Sequence, residues 1–425
     1  MLTESFVSMM ATSSTVQRPK GTQDILPAQS HQWFGLLATA ATVLESANYQ
    51  RIDTPIFEAT HLFERGVGDS TDIVNKEMYS FEKEGRSITL RPEGTAGVVR
   101  AFIEQGLHRA AKPVRLYYAG PMFRYERPQE GRQRQFHQFG CELLGLDTPQ
   151  ADAEAILQAM TVLEALEVQG VELHLNTVGT PEDRVRFRDA LKTVLAPHLP
   201  TLCEDCQRRF EQNPIRMLDC KVSTCKTLYN SEVVESFLQT FDWSVQAQES
   251  FKTLCDILTT LNIHYTINRR MVRGLDYYTG TVFELTSNQL GAQSAVCGGG
   301  RYNRLVETLG GPETPAIGWA MGVERLMKLA TLHHAPVLDY YVVTNRPAAA
   351  FALAKQLRTL GKRVEVDLTN KPFGKQLAQA DKRNAVHAII LGDTEVAAEQ
   401  VQVKTFATGE QVAYQQTSFL GTLRI

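Results

Sequence analysis

The sequence lacks any apolar run near the roughly 18 to 20 residues that a membrane-spanning helix needs. Residues 1–17 contain Glu4 but no Lys or Arg and no sustained apolar core, which is typical of neither a secretory signal nor a transit peptide. Cysteine is scarce, and seven thiols in a chain without an export signal indicate a reducing compartment. We therefore expect a cytoplasmic protein with no membrane segment and a frayed N-terminal extension over residues 1–17.

Charge of one sign is also lacking. The 44 Lys+Arg are matched by 47 Asp+Glu, which leaves a net charge of −3. This balance excludes a surface that is basic throughout, but a local basic face for nucleic acid remains compatible with it. No internal repeat or low-complexity tract is present, and 425 residues are enough for about two to three domains.

Hydrophobic spacing predicts a first domain in which strands dominate and a helical module is inserted. Cysteines and prolines mark the centre of that module, at about residues 179–262. The elements expected around it are a helix over 30–48, a strand over 49–57, strands and loops over 88–145, a helix over 151–168, Gly-rich strands over 265–300, and helices from Tyr302 and Met321.

Residues 333–336, His-His-Ala-Pro, form the best linker candidate. After them strands alternate with helices of about ten residues, which predicts an α/β domain with a largely parallel sheet over 337–425. This part has 11 Lys+Arg against 8 Asp+Glu, hence +3, and leaves −6 on residues 1–336. A mildly cationic tail is compatible with an RNA-facing appendage. The predicted elements are strands over 338–344, 364–368 and 388–391 and helices over 348–360 and 375–384.

The strongest local signal is an arginine-rich stretch around a turn. Residues 115–134 hold five arginines and two acids among aromatic residues. Arginine donates two parallel hydrogen bonds to phosphate oxygens, and Phe136 can stack on a base. A solvated charged hairpin is the alternative on charge alone.

Three glycine-containing segments are further candidates for ligand contact: 273–280, 297–302 and 318–325. Glycines allow the backbone to approach a ligand closely, and a helix start with an arginine in its first turn suits a nucleotide phosphate. Each segment also has a structural explanation. For residues 273–280 it is a strand–turn–strand with a surface arginine. For 297–302 it is a tight turn against another strand, and for 318–325 a helix start fixed by packing.

Four cysteines fall in the predicted insertion: Cys203, Cys206, Cys220 and Cys225. Four thiols can bind zinc tetrahedrally. The four-residue spacing of the second pair is loose, however, so free or buried thiols are favoured and no metal site is predicted. For His137 a packing role is favoured over that of a general base.

Taken in order, these segments resemble the histidyl-tRNA synthetase family of class II aminoacyl-tRNA synthetases, from Arg18 onward. Residues 48–58, with Pro55, are similar to class II motif 1, 120–142 to motif 2 and 318–326 to motif 3. Residues 90–95 and 273–283 resemble the two segments that distinguish the histidine enzyme.

The resemblance implies an α+β antiparallel-sheet catalytic domain over 18–332 with the helical insertion near the acceptor arm. A C-terminal α/β anticodon-binding domain over 337–425 and a C2 homodimer are implied as well.

The resemblance also assigns site residues. Arg124 would bind the α-phosphate of ATP, Arg132 and Arg325 the outer phosphates or the adenine face, and Phe136 and Glu126 the adenine. The residues implied for histidine are Glu93, Thr95 and Gln138 at the α-amino group, Glu142 and Tyr278 at the imidazole, Tyr302 on the pocket wall, and Arg273. Arg273 and Arg124 would be catalytic, on the α-phosphate. ATP would come with Mg²⁺, and no tightly bound cofactor is expected.

The implied function is that of an ATP-dependent histidine–tRNA ligase, which forms histidyl-adenylate and pyrophosphate and then charges tRNA(His) with release of AMP. The alternative is the non-catalytic, synthetase-like regulatory subunit of ATP phosphoribosyltransferase, which lacks the tail domain. Arg124, Arg273 and Arg325 are all present, and about 90 residues follow the linker, so the enzyme is favoured. A stand-alone RNA-binding module would leave the histidine-pocket segments unexplained.

Overall fold

The structure is a computed structural model that describes residues 16–68, 71–128, 131–331 and 337–423. The chain divides into two compact units, Met1–His333 and His334–Ile425. The predicted linker and residues 1–15 of the predicted extension lie outside the described residues. No helix in the described part of the chain is long and apolar enough to cross a membrane.

The first unit is organised around an eight-stranded sheet with the strand order β1-β5-β6-β11-β10-β9-β7-β8 and a small three-stranded sheet with the order β2-β4-β3. Within the large sheet only β1–β5 and β7–β8 are parallel pairs, and the other pairs are antiparallel. The strands are β1 Gln50–Arg51, β2 Phe57–Ala59, β3 Tyr79–Lys83, β4 Arg86–Leu90, β5 Val114–Phe123, β6 Gln135–Leu144, β7 Val171–Thr177, β8 Tyr265–Ile267, β9 Thr281–Ser287, β10 Ala295–Arg301 and β11 Ala316–Gly322.

Helices cover both faces of the large sheet. The helices are α1 Pro27–Ser46, α2 Thr60–Val67, α3 Thr95–Glu104, α4 Pro149–Ala165, α5 Pro181–Leu195, α6 Glu204–Gln212, α7 Ser223–Tyr229, α8 Glu232–Thr240, α9 Val245–Thr260, α10 Leu305–Thr308 and α11 Val323–Leu329. The main core joins α1, α4 and α9 to one face, and a second core joins α3 and α10 to the other.

The pleat of β6 separates core from site. Phe139, Cys141 and Leu143 point into the main core beneath α1 and α4. Gln138 and Glu142 alternate with them and point to the opposite face. The antiparallel partners of β6 follow the same alternation, so one face of the sheet is free to carry polar side chains.

The segment between β7 and β8 is helical, as the sequence predicts for residues 179–262. It contains α5–α9 and has a core of its own around Phe187, which stacks on Trp243 with ring centroids 5.3 Å apart. The last helix, α9, packs differently: Leu254 and Leu258 belong to the main core. The separate core therefore ends before α9.

The second unit is a five-stranded sheet in the order β13-β12-β14-β15-β16. Its strands are β12 Leu338–Thr344, β13 Val364–Val366, β14 Ala385–Leu391, β15 Gln400–Thr405 and β16 Gln411–Gln415, and its helices are α12 Pro347–Thr359, α13 Phe373–Lys382, α14 Asp393–Ala397 and α15 Gln416–Thr422. α12 and α15 pack on one face and α13 on the other. β12–β14 are parallel as predicted, whereas β15 and β16 are antiparallel and were not predicted.

Three local predictions differ from the structure. The strand predicted over 49–57 is reduced to the two residues of β1 before the chain turns towards β2. The tight turn considered for residues 297–302 is not formed: residues 297–301 lie in the extended strand β10, which agrees with the Gly-rich strands predicted over 265–300. The helix predicted from Met321 begins at Val323, because the residues before it pair with β6 and β10 as β11.

Candidate active site

A cavity of about 620 Å³ opens on the polar face of the large sheet. The site residues implied by the sequence converge on it from β5–β6, β10–β11, the loop before α3 and the loop before β9. Eleven of the twelve line it: Glu93, Thr95, Arg124, Glu126, Arg132, Phe136, Gln138, Arg273, Tyr278, Tyr302 and Arg325. The twelfth, Glu142, lies directly behind them.

One end of the cavity presents acidic and amide acceptors. The Glu93 carboxylate caps the first turn of α3, where it accepts hydrogen bonds from the backbone N–H groups of Thr95 and Ala96, both 2.8 Å. Burial raises the pKa of Glu93, and those amide bonds oppose the rise. Gln138 Oε1 is buried and has no hydrogen-bond partner among the described residues. A buried carbonyl oxygen of this kind is available to accept a hydrogen bond from a ligand.

Glu142 is fully buried beneath this end. Its Oε1 accepts a hydrogen bond from Thr95 Oγ1 (2.7 Å) and its Oε2 accepts one from Tyr302 Oη (2.5 Å). Burial raises the pKa of Glu142 to about 8, against the lowering effect of these two hydroxyls. A Cβ at Gly318 would lie 1.7 Å from Glu142 Oε2, so the carboxylate fits only because β11 has glycine there. In the structure Glu142 thus orients two cavity-lining hydroxyls.

Arg273 extends across the neighbouring strand β10. Its Nη1 donates to Glu284 of β9, and its Nε is buried without a hydrogen-bond partner in the described part of the chain. A Cβ at Gly298 would lie 1.7 Å from Arg273 Nη2, so this glycine is required for the guanidinium to lie on the sheet. The arginine is held in place with a donor still available to a ligand.

The opposite end of the cavity is cationic and aromatic. Arg124 Nε donates to the carbonyl oxygen of Pro92 (2.9 Å), and its guanidinium carbon lies 5.2 Å from the centroid of Phe136. Glu126 lies between two arginines: its Oε2 is 2.9 Å from Arg132 Nη1 and its Oε1 is 4.0 Å from Arg124 Nη1. This group combines phosphate-binding donors with an aromatic face.

Arg325, near the start of α11, completes this cationic end. Its Nη1 donates to the carbonyl oxygen of Ala295 on β10. Burial and the nearby charge of Arg132 lower its pKa. Arg132 and Arg325 carry like charges that repel each other, so this end of the cavity is stabilised when an anion binds.

His137 has the packing role that the sequence favours. Its backbone N–H donates to the Glu324 carboxylate and its Nδ1 lies 3.0 Å from Oε1 of the same residue. Its ring meets Trp33 of α1 edge-on at 4.8 Å. The histidine therefore ties β6 to α11 and α1.

The sequence does not reveal the residues that hold the Arg273 loop. Arg184 of α5 donates to the carbonyl oxygens of Asp276 (3.0 Å) and Tyr278 (2.9 Å), and Arg216 donates to that of Arg273 (2.9 Å). Both arginines come from the insertion, 57 to 94 residues away in sequence. No spacing pattern in the sequence marks these two arginines.

The antiparallel sheet, the arginine-bearing hairpin β5–β6 and the strand–helix unit β11–α11 are the three parts of a class II aminoacyl-tRNA synthetase catalytic domain. A family profile described as histidyl-tRNA synthetase matches residues 21–326, and one described as anticodon binding domain matches residues 340–424. The chain belongs to the histidyl-tRNA synthetase family.

Individual relatives agree with this assignment. The histidine–tRNA ligase of Microcystis aeruginosa is 49% identical over 95% of this chain and 96% of its own length. That of Cyanothece sp. is 49% identical over 96% of each chain. The crystal structure of apo S. aureus histidyl-tRNA synthetase superposes with a TM-score of 0.80 at 33% identity, covering 96% of this chain and all of that one.

The raised pKa of Glu142 predicts a pH-dependent stability. The folded form keeps a proton on Glu142 up to about pH 8, whereas the unfolded chain releases it at the ordinary value of 4.5. Between these pH values the free energy of unfolding should fall as pH rises, by about 1.4 kcal/mol per pH unit at most from this group. Glu142→Gln should remove that component and flatten the slope.

Urea unfolding across this pH window checks the prediction. Tryptophan fluorescence reports on the first unit, because Trp33, Trp243 and Trp319 all lie there. Glu164→Gln, at an exposed position of α4, is the matched control and should leave the slope unchanged. An unaltered slope in the Glu142 variant would show that this carboxyl group does not hold the proton.

Proposed function

We propose that this chain joins L-histidine to tRNA(His) in two steps within the cavity. The carboxylate of histidine first attacks the α-phosphorus of ATP, giving histidyl-adenylate and pyrophosphate. A hydroxyl of the 3′-terminal ribose of the tRNA then takes the histidyl group and AMP leaves. The observation that carries this proposal is that one cavity holds acidic and amide acceptors at one end, phosphate-binding arginines at the other, and Arg273 as well.

Histidine occupies the end with the acceptors. Its ammonium group donates to Glu93, to Thr95 and to the unpartnered Gln138 Oε1. Tyr278 and Tyr302 contact the imidazole. Glu142 acts as a positioning residue through Thr95 and Tyr302, and its direct contact with the imidazole stays a prediction. An apolar amino acid of similar size would bind through its ammonium group equally well, but it would leave the buried polar groups that face the imidazole unpaired and is excluded for that reason.

ATP occupies the cationic end as its Mg²⁺ complex, in which the ion neutralises charge on the outer phosphates. Phe136 stacks on the adenine and Glu126 reads its edge, while Arg132 and Arg325 contact the outer phosphates or the adenine face. Arg124 binds the α-phosphate. Support for this orientation comes from the close approach of Arg124 to Phe136, which brings base and phosphate donors together.

Arg273 approaches the α-phosphate from the side opposite Arg124. As negative charge grows on the pentavalent phosphorus, two fixed guanidinium groups stabilise it more than they stabilise the ground state. No general base is required in this step, because the attacking group is already a carboxylate. Positioning and charge stabilisation supply the rate enhancement.

Histidine-dependent exchange of labelled pyrophosphate into ATP tests this assignment. Arg273→Ala should lower the exchange rate roughly 100-fold or more, the typical loss when one transition-state donor is removed. The dissociation constant for ATP should change much less, since Arg124, Arg132 and Arg325 remain.

Arg304→Ala, which removes an exposed arginine from the same unit, is the matched control and should exchange at the normal rate. Exchange in wild type should require histidine and no other amino acid. A folded wild-type protein without exchange would instead support the regulatory alternative. The tail unit's match to an anticodon-binding domain and the ligase relatives weigh against that alternative.

The second unit binds the anticodon arm of tRNA. In a parallel sheet ligands bind beyond the carboxyl ends of the strands, and here the loop after β13 carries exposed Leu368 and Lys371, with Lys375 in the first turn of α13. Lysines contact backbone phosphates and the apolar side chain contacts an unpaired base.

Combined Lys371→Glu and Lys375→Glu substitutions should lower kcat/KM for tRNA about tenfold or more. Pyrophosphate exchange should stay unchanged, because the cavity of the first unit is not altered. The matched control is Lys355→Glu on the exposed side of α12. Equal effects of the control and the double variant on aminoacylation would argue against this loop as the RNA contact.

The enzyme works as a C2 homodimer that associates through the motif 1 region. Phe57 of β2 and Phe81 of β3 share one face of the small sheet and are 53% and 49% exposed, and neighbouring Ile56 is 45% exposed. An exposed apolar patch of this kind is typical of an interface. Cytoplasmic location is proposed from the substrate tRNA and from the seven cysteines, all of which are free thiols.

Phe57→Glu should shift the protein from dimer to monomer in sedimentation velocity, because a charge buried without a partner at the interface is costly. Phe351→Glu, at a Phe of α12 with 48% exposure, is the matched control and should remain dimeric. A wild-type monomer at micromolar concentration would contradict the dimer proposal directly.

A further inference from the structure

The four cysteines of the insertion meet in the fold. Cys203 precedes α6 and Cys206 lies in its first turn, Cys220 follows a 3-10 turn over Pro214–Asp219, and Cys225 lies in the first turn of α7. Their four Sγ atoms all lie within 4.8 Å of one another. Two helix starts and a turn thus present their cysteine side chains to one point within the core of the insertion.

The dimensions of this cluster suit a tetrahedral zinc ion. With Zn–S bonds of about 2.3 Å, the sulfur atoms of a tetrahedral site are about 3.8 Å apart. Cys203 Sγ and Cys220 Sγ are 3.8 Å apart. The longest separation, up to 4.8 Å, needs a contraction of only about 1 Å, which small side-chain rotations supply.

Two hydrogen bonds are directed at the sulfur atoms. The backbone N–H of Cys203 donates to Cys225 Sγ (3.4 Å), and Tyr229 Oη donates to Cys206 Sγ (3.3 Å). Donors around a metal-ligating group orient the ligand and stabilise its charged form. Uncharged thiols packed in an apolar core have no need of such donors.

We propose that Cys203, Cys206, Cys220 and Cys225 bind one structural Zn²⁺ ion that fixes the centre of the insertion. All four positions of the ion are filled by sulfur, so the site is closed and leaves no position for a substrate. The loose spacing of the second pair, which argues against zinc in the sequence, is accommodated by the fold. The residues between Cys220 and Cys225 lead directly into α7, and the first turn of this helix places the Cys225 thiol near that of Cys220.

This site would also stabilise the catalytic loop. The segment between Cys206 and Cys220 makes three contacts with residues outside the insertion. These are Arg209 with Asp72 (2.8 Å), Asn213 with Asp276 (3.0 Å) and Arg216 with the carbonyl oxygen of Arg273 (2.9 Å). The ion holds both ends of this segment. Loss of the metal should therefore loosen the loop that carries Arg273, although no ligand touches the substrates.

Metal content of the full chain, purified under reductant and without chelator, is the primary test. We expect about one zinc per chain by mass spectrometry of the metal. Cys203→Ser and Cys225→Ser should each lose most of the zinc and lower the melting temperature. Cys255→Ser, which removes a partly exposed thiol of α9 outside the cluster, is the matched control. It should retain the zinc and the wild-type melting temperature.

Cobalt replacement keeps the test decisive if a serine variant does not fold. Wild-type protein refolded with Co²⁺ should show the visible bands of a tetrahedral cobalt–thiolate site and lose them when Zn²⁺ is added. Folded wild type without bound metal, disulfides within the cluster, or the absorption of an iron–sulfur centre would each overturn the proposal. None of these readouts depends on ligase activity, so the proposed function is tested separately.

Discussion

The active site depends on how closely side chains approach the backbone of the sheet. Gly298 of β10 and Gly318 of β11 each leave a space in which a Cβ would overlap a functional atom, of Arg273 in one case and of Glu142 in the other. The Arg273 guanidinium and the buried Glu142 carboxylate therefore lie against the strands themselves. The guanidinium is held there by Glu284 of β9, and the carboxylate by the hydroxyl groups of Thr95 and Tyr302.

The cavity face of the large sheet can carry polar side chains because the opposite face is apolar. Every second residue of β6 and β11 packs beneath α1 and α4, and this burial provides the stability. Part of that stability is opposed by the site itself. Glu142 lies in a fully buried position, at a cost that grows when it loses its proton, and Gln138 keeps an acceptor without a partner. The Gln138 acceptor becomes favourable when a substrate supplies the missing donor.

Much of this arrangement was readable in the sequence, for particular reasons. The α1 pattern from Trp33 to Leu44 is regular, and the arginines around the β5–β6 turn are concentrated, although their charge alone leaves a solvated hairpin as the alternative. Strands β15 and β16 were missed although residues 400–403 alternate Gln and Val, a pattern typical of a strand with one face exposed. The stretch 297–301 looked like a turn because glycine is rare in strands; here it makes room for neighbouring side chains.

What the sequence could not show are contacts between distant segments. Arg184 donates to the carbonyl oxygens of Asp276 and Tyr278, which lie 92 and 94 residues further along the chain. Arg216 donates to the carbonyl oxygen of Arg273. The loop that carries Arg273 is therefore held in place only after the whole insertion has folded. The entropic cost of closing so long a segment has to be overcome first. We expect the catalytic loop to be among the last regions of the first unit to gain protection from hydrogen exchange, so that a newly made chain acquires its fold before it acquires its activity.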